Sequence, residues 1–472
     1  MNYFNMRLSQ YTQDKYLRSD AKYHGAMLKI GNALFGTPTL DNVALHDVLS
    51  EDYRLFEYED GNDYKGIPTG QAYIDEDGEI IDYQPVTLND HPGRLRYAVN
   101  AENILISSIR LAKSPALNFE GETLDDFVIS NGFYIFTVNN GWNKRFVLYL
   151  LRSKRIKSLI DNNIYRGIGI SAYRVEDLLN FEIKFLSLAE QDKALTCIRP
   201  HEEAIKKLKA QIKSPQSIID EIYAREFELS VEPLVKISKS QSLNVAWSNL
   251  SFNNSNLRFS ARWNKAELIQ EALLEMSDVF KPLGRYISKT RNGFSPECSE
   301  DATMYGVLGI DAISKDTVLK FDNLKYTDLP ISDRETCFVE NGDFFVSRGN
   351  TTDLVALASI AEIDDESERI IFPDLMIRID LTAEIDKRFM AYVFNSFIGR
   401  LYFKYATKGK NQTMVKVSAK ELNDFYVPVP PLPEQKRLVS LVQSEINKQD
   451  KVRTRIAELR EKIDEIIEAV LT

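Results

Sequence analysis

The chain is poor in the residues from which most active sites and disulfide scaffolds are built. It has 3 cysteines and 4 histidines in 472 residues. Cys197, Cys298 and Cys337 lie scattered without metal-ligand spacing, an odd, sparse set that suits a reducing cytoplasm. His24, His46, His91 and His201 lack the partner spacing of a ligand or a general base. No apolar run approaches the length that crosses a bilayer, Phe146 to Leu151 being among the longest. The N-terminus, MNYFNMRLSQ, has no basic-then-apolar export pattern. These absences predict a cytoplasmic location and no membrane partner. Catalytic motifs are missing too: no Gly-rich phosphate loop, no His-Glu-x-x-His, no paired cysteines, no Asn/Asp-Pro-Pro-aromatic run. Asp177 with Glu182-Ile183-Lys184 has the look of a nuclease Asp…Glu-x-Lys set, but a half-buried strand explains Phe181, Ile183 and Phe185. No catalytic residue, metal or cofactor is expected.

What is present reads as a folded chain of more than one domain, with 44% hydrophobic and 27% charged residues. The net charge is −10, and the stretch from Asp47 to Asp82, with twelve acids and two bases, accounts for all of it. That stretch is expected to be a solvated loop or a partner contact.

The dominant signal is a repeat. Leu188-Ala189-Glu190-Gln191-Asp192-Lys193 returns as Leu432-Pro433-Glu434-Gln435-Lys436-Arg437. Each copy follows an alternating strand, Phe181–Phe185 or Phe425–Val429, and opens a long helical pattern. Upstream, Lys144-Arg145-Phe146 matches Lys387-Arg388-Phe389, Val99–Arg110 matches Val339–Asn350, and Arg7-Leu8-Ser9 matches Arg258-Phe259-Ser260. Residues 1–186 therefore read as one mixed α/β domain, and residues 230–431 as a linker, centred on 230–258, with a second such domain. Residues 187–229 and 432–472 read as long helices. Ser187 and Glu190 form a capping box for the first, while Pro200 and Pro215 each predict a kink or break in it. Pro433 fits the first turn of the second. The apolar stripe predicts a coiled-coil seam through Ile198, Ile205, Leu208, Ile212, Ile219 and Ile222, and through Val452, Ile456, Leu459, Ile463, Ile466 and Val470. The predicted fold class is α+β: two mixed α/β domains in pseudo-two-fold arrangement, separated by two long antiparallel coiled-coil helices.

Basic residues concentrate at the same place in both copies. Lys144–Arg174 holds eight bases and one acid, Asp161; Lys387–Lys420 holds eight bases and no acid. Each stretch contains a small polar loop, Arg166-Gly167-Ile168-Gly169-Ile170-Ser171 and Lys410-Asn411-Gln412-Thr413. Exposed cations suit phosphate contact, glycine lets backbone amides approach a phosphate, and Asn or Gln can pair with an adenine edge. An ordinary turn before the last strand would read the same way.

The pattern of strand, Pro-Leu-Pro-Glu-Gln-Lys-Arg and long helix, stated twice, resembles the specificity subunit of type I restriction–modification enzymes. The resemblance covers essentially the whole chain and is sharpest at Pro430–Arg437, the first copy being degenerate. It implies two target-recognition domains, each reading one half of a bipartite, asymmetric site on double-stranded DNA. It implies helices that set the spacing and dock DNA methyltransferase (modification) subunits and a restriction/translocase subunit. Methylation and cleavage would lie in those partners, and this chain would bind neither S-adenosylmethionine nor ATP. The DNA-binding candidates are Lys144, Arg145, Lys154, Arg155, Arg166, Gly167 and Arg174 in the first domain. In the second they are Arg291, Asn292, Arg348, Asn350, Thr351, Lys408, Lys410, Asn411, Gln412, Thr413 and Lys416. The acidic stretch is expected to point away from the duplex. The competing reading is a coiled-coil scaffold whose duplicated heads bind protein rather than DNA; an enzyme with a hidden site is a third.

Overall fold

A computed structural model describes residues 42–69, 73–109, 116–117, 124–160, 173–243, 260–328, 337–363, 369–409 and 414–471. Arg7-Leu8-Ser9, Arg258-Phe259, Arg166 to Ser171 and Lys410 to Thr413 lie outside them. The chain forms two compact units. The first runs through Gln211 and takes in the residues from Thr454 on; the second is Ile212–Arg453.

Both units mix helix and sheet, and their strand orders match. In the first, a four-stranded sheet has the order Leu49–Glu51, Phe133–Val138, Ile104–Ser107, Ala116–Leu117. In the second the order is Ile287–Asn292, Met376–Leu381, Phe344–Ser347, Ala358–Ile360. Each unit adds a sheet with one parallel pair, Tyr64–Ile67 with Phe127–Ser130 and Tyr305–Val307 with Ile370–Ile371. Each also closes on a two-stranded ribbon, Asn42–Ala44 with Glu182–Lys184 and Phe280–Pro282 with Tyr426–Pro428. Part of the acidic stretch is strand: it contains Leu49–Glu51, Arg54–Leu55 and Tyr64–Ile67.

The core of each unit is built on a pair of helices behind the four-stranded sheet. Lys144–Arg152 buries every residue from Phe146 to Leu151, and Lys387–Asn395 buries every residue from Phe389 onward. A helix apolar all round has to be enclosed on all sides. A serine, Ser153 or Ser396, ends each helix and caps the next, Lys154–Leu159 or Phe397–Ala406.

The repeated Glu-Gln pair acquires a physical role here. Gln191 and Gln435 are fully buried. Gln191 accepts from the backbone N–H of Asn143 (2.7 Å) and donates to the carbonyls of Leu186 (2.8 Å) and Gly141 (3.1 Å). Gln435 accepts from Asp386 N–H (2.8 Å) and donates to Pro430 (2.9 Å) and Glu384 (3.0 Å). One amide thus fastens the start of each long helix to the residue capping the buried helix. Every polar group of the staple finds a partner, as burial requires.

The first long segment is two helices. Leu188–Lys209 opens on the Ser187–Glu190 capping box and carries Pro200 inside it without ending. Pro215 does end the run: Ser214 caps a new helix, Pro215–Glu226, with the proline in its first turn. Ile212 falls in the break and is exposed, so the expected stripe is interrupted there. The last helix is continuous over Leu432–Leu471, with Pro433 in its first turn. In the second unit, Pro215–Glu226 runs antiparallel to it. Lys213 N–H donates to Gln449 (2.9 Å), Glu226 pairs with Arg437, and Ile218, Ile222 and Tyr223 share a core with Leu438 and Val442. Toward its end the buried stripe is Ile456, Leu459, Ile463, Ile467 and Leu471, not Ile466 and Val470. Steps of four replace the heptad alternation, as in a straight helix lying on a globular surface. Ile205, Ile219 and Ile222 are buried as expected, whereas Leu208 and Val452 are half-buried. The segment 230–258 begins not as a linker but as a helix, Val231–Lys239, whose Leu234 is buried.

Candidate nucleic-acid interface

Most of the helical cations are committed within the protein. Lys144 and Lys387 sit in a first helical turn, where the helix dipole disfavours positive charge. Each folds back onto a carbonyl of the matching turn, Ala101 and Gly342. Arg145 pairs with Glu202 and Arg388 with Glu362. The first of these pairs borders a cavity of about 190 Å³ between Lys144–Arg152 and Leu188–Lys209. Lys154 pairs with Glu461, and Arg155, 7% exposed, bonds Glu468 at 2.6 Å. The lysine- and arginine-rich turn thus receives the acidic face of the last helix within the first unit. Arg400 is half-buried; desolvation pushes its pKa down to about 10, and it donates to the Val355 carbonyl. Lys144, Arg145, Lys154 and Arg155 thus each have a partner within the first unit.

The acidic turn is also claimed internally. Asp75 accepts from the N–H groups of Asp77 and Glu79 at 2.9 Å each. Lys209 reaches Asp75 (2.5 Å), and Arg460 makes a bidentate contact with Asp77 (2.7 Å to each oxygen). Burial alone would raise the Asp77 pKa, but Arg460 and Lys209 hold it below the ordinary range.

The loops tell a different story. Both units contain the same backbone socket at the end of the central strand. In the first unit, Ser108 N–H donates to the Gly132 carbonyl (2.9 Å) and the Ser108 carbonyl accepts from Tyr173 N–H (3.2 Å). In the second, Arg348 N–H donates to Leu375 (2.7 Å) and its carbonyl accepts from Val417 N–H (2.8 Å). The socket thereby lays the loop after the central strand beside the segment leading to the final short helix. In the second unit this pairs Gly349–Asn350 with Val415–Lys416.

The structure brings together Arg348, Asn350, Thr351, Lys408 and Lys416 at that site. Lys416 and Thr351 are exposed, with Met414 half-exposed beside them. Arg348 donates to the Asp374 carbonyl (3.2 Å), and Asn350 accepts from Thr351 N–H (2.8 Å). Lys408 pairs with Glu421 at 3.0 Å; burial raises that carboxyl, but Ser418 and Lys408 hold it below the usual range. On the neighbouring strand, Arg291 is bonded to Asp380 (3.0 Å) and Asn292 is exposed. Gly293, next along, leaves no room for a Cβ against the Phe372 and Pro373 carbonyls. In the first unit, Arg174 is exposed next to the socket residue Tyr173. Arg166, Gly167, Lys410, Asn411, Gln412 and Thr413 fall outside the described residues.

Among the described residues, no group of His, Cys, Asp and Glu is placed to hold a metal ion, and no helix is long and apolar enough to cross a membrane.

No family model and no curated protein matches the chain. Solved structures do. One is a chain from a structure of complex assembly and conformational transition of the type I R-M system (14% identity, TM-score 0.42). Another is the HsdS subunit from Thermoanaerobacter tengcongensis (14%, 0.33), and a third the type I restriction-modification system S subunit from M. genitalium (15%, 0.35). Two of these three are S subunits. Each alignment covers 91% of this chain and 96% of the other.

Proposed function

We propose that the chain is the DNA sequence-recognition subunit of a type I restriction–modification complex. Each unit reads one half of a bipartite site, and the long helices set the half-site gap and dock methyltransferase subunits. A restriction/translocase subunit completes the assembly. Chemistry belongs to these partners, and this chain contributes recognition alone.

The observation that carries the reading is the shared socket with unlike contents. The same pair of backbone hydrogen bonds holds Ser108 in one unit and Arg348 in the other. A frame repeated in backbone and varied in side chain is what two readers of different sequences require. Phosphate contacts can be shared between them, but base contacts have to differ. The twice-stated Glu-Gln motif and its resemblance to specificity subunits support the same reading.

Methylome mapping in a host carrying the methyltransferase subunit, with and without this chain, tests it. A methylated, split, asymmetric motif that disappears with the chain is expected. If no methylated motif depends on the chain and its long helices retain only protein partners, it is a scaffold instead.

A further inference from the structure

A second motif repeats at the same period as the Glu-Gln pair. Ile219-Asp220-Glu221-Ile222 recurs as Ile463-Asp464-Glu465-Ile466. Twenty-nine positions separate Gln191 from Asp220, and twenty-nine separate Gln435 from Asp464. That interval is preserved although the first segment breaks before Pro215 and the second is one helix. In both copies the first isoleucine is buried, the aspartate half-buried and the glutamate exposed, while the second isoleucine is buried at Ile222 and half-buried at Ile466.

The aspartates meet matched partners. Asp220 accepts from the backbone N–H of Phe397 at 2.6 Å, the first residue of Phe397–Ala406. Asp464 lies close enough to the backbone N–H of Lys154, the first residue of Lys154–Leu159, for that N–H to draw its pKa down. These short helices are the equivalent members of the two buried helix pairs. First-turn N–H groups have no partner within their own helix, so an acceptor brought from elsewhere satisfies them. Gln216 is a second donor to Asp220 (3.0 Å); Lys154, Lys157 and Glu461 face Asp464. Burial pushes both carboxyls up, Asp220 to about 6. Among the described residues, the neighbouring glutamates Glu221 and Glu465, both exposed, make no such hydrogen bond to a short helix.

We infer that Asp220 and Asp464 are matched positioning residues, each pinning the far end of a long helical segment to the second helix of a buried pair. Each unit thus receives one glutamine staple and one aspartate pin, from opposite ends of different long segments. As positioning residues they act on half-site spacing, which rests on the DNA-recognition reading, while the pin contact stands apart from it.

Two measurements on the full chain decide the matter. The first is amide hydrogen exchange. Asp220→Ala should speed exchange at the start of Phe397–Ala406 by roughly five- to tenfold, the size of a lost helix cap. Asp464→Ala should do the same at Lys154–Leu159. Asparagine, which keeps an acceptor, should restore protection, and Glu221→Ala and Glu465→Ala should leave it unchanged. Where an alanine variant does not fold, Asp→Glu displaces the carboxylate and gives the same reading. The second is methylome mapping in the assembled complex. The alanine variants should keep both half-site sequences but accept a wider range of gaps. Unchanged exchange at Phe397 and Lys154 overturns the pin. Faster exchange with an unchanged gap shows a purely structural contact and overturns the positioning role. If the wild-type complex recognises no DNA site, the functional reading fails, and exchange still decides the pin.

Discussion

A cation can be exposed to solvent or committed to a carboxylate, and only the first kind is available to phosphate. Lys416 belongs to the first kind and Arg155 to the second. Lys416→Ala should weaken DNA binding evenly across sequences and lower the salt slope by about one. Arg155→Ala should leave the salt slope alone and lower stability by about 3 kcal/mol, because Glu468 then loses its partner. Titration of binding against salt, with chemical denaturation alongside, separates the two. A second residue-scale outcome concerns Glu267, on the helix Ala261–Met276. Burial, with the charges of Asp424 and Glu271, pushes its pKa up to about 7. The native state then holds a proton that the unfolded chain has released, so stability falls as pH rises from the ordinary glutamate range to about 7. Glu267→Gln should flatten that fall, as read from denaturation midpoints across the window.

At the scale of elements, the repeat made much of the fold legible. Leu188 and Leu432 do open helices, the strands before them do pair, and the Ser187–Glu190 capping box is formed. The fate of the basic stretches was not legible, since a charge count along the chain cannot see Glu202, Glu362, Glu461 or Glu468 arriving from distant segments. The seam past Leu459 misled for a related reason: heptad spacing describes a partner helix, whereas Ile467 and Leu471 answer to a globular surface. The two prolines behaved differently because only Pro215 has a capping serine before it. Pro200 stays inside Leu188–Lys209 and leaves the Thr196 carbonyl without its helical donor. Pro200→Ala should therefore raise stability by about 1–3 kcal/mol, measurable as a higher denaturant midpoint.

At the scale of the whole molecule, the equal interval between staple and pin gives the proposed ruler a definite length in residues. Four residues inserted between Gln435 and Asp464, and four between Gln191 and Asp220, would add about 6 Å of helix. The preferred gap between half-sites should lengthen by one to two base pairs at about 3.4 Å each. A gap that stays fixed in methylome data after both insertions would place the control of spacing elsewhere.

The membership of the first unit, which draws on both Leu188–Lys209 and the residues after Thr454, also bears on how the protein is made. A ribosome delivers the chain in order, so the second unit can close while the first still lacks the side chains of Ile456, Leu459, Ile463, Ile467 and Leu471. Until those emerge, their apolar receptor stays open to solvent and to other nascent chains, a state prone to misassembly. A segment translated after the second unit completes the unit translated before it.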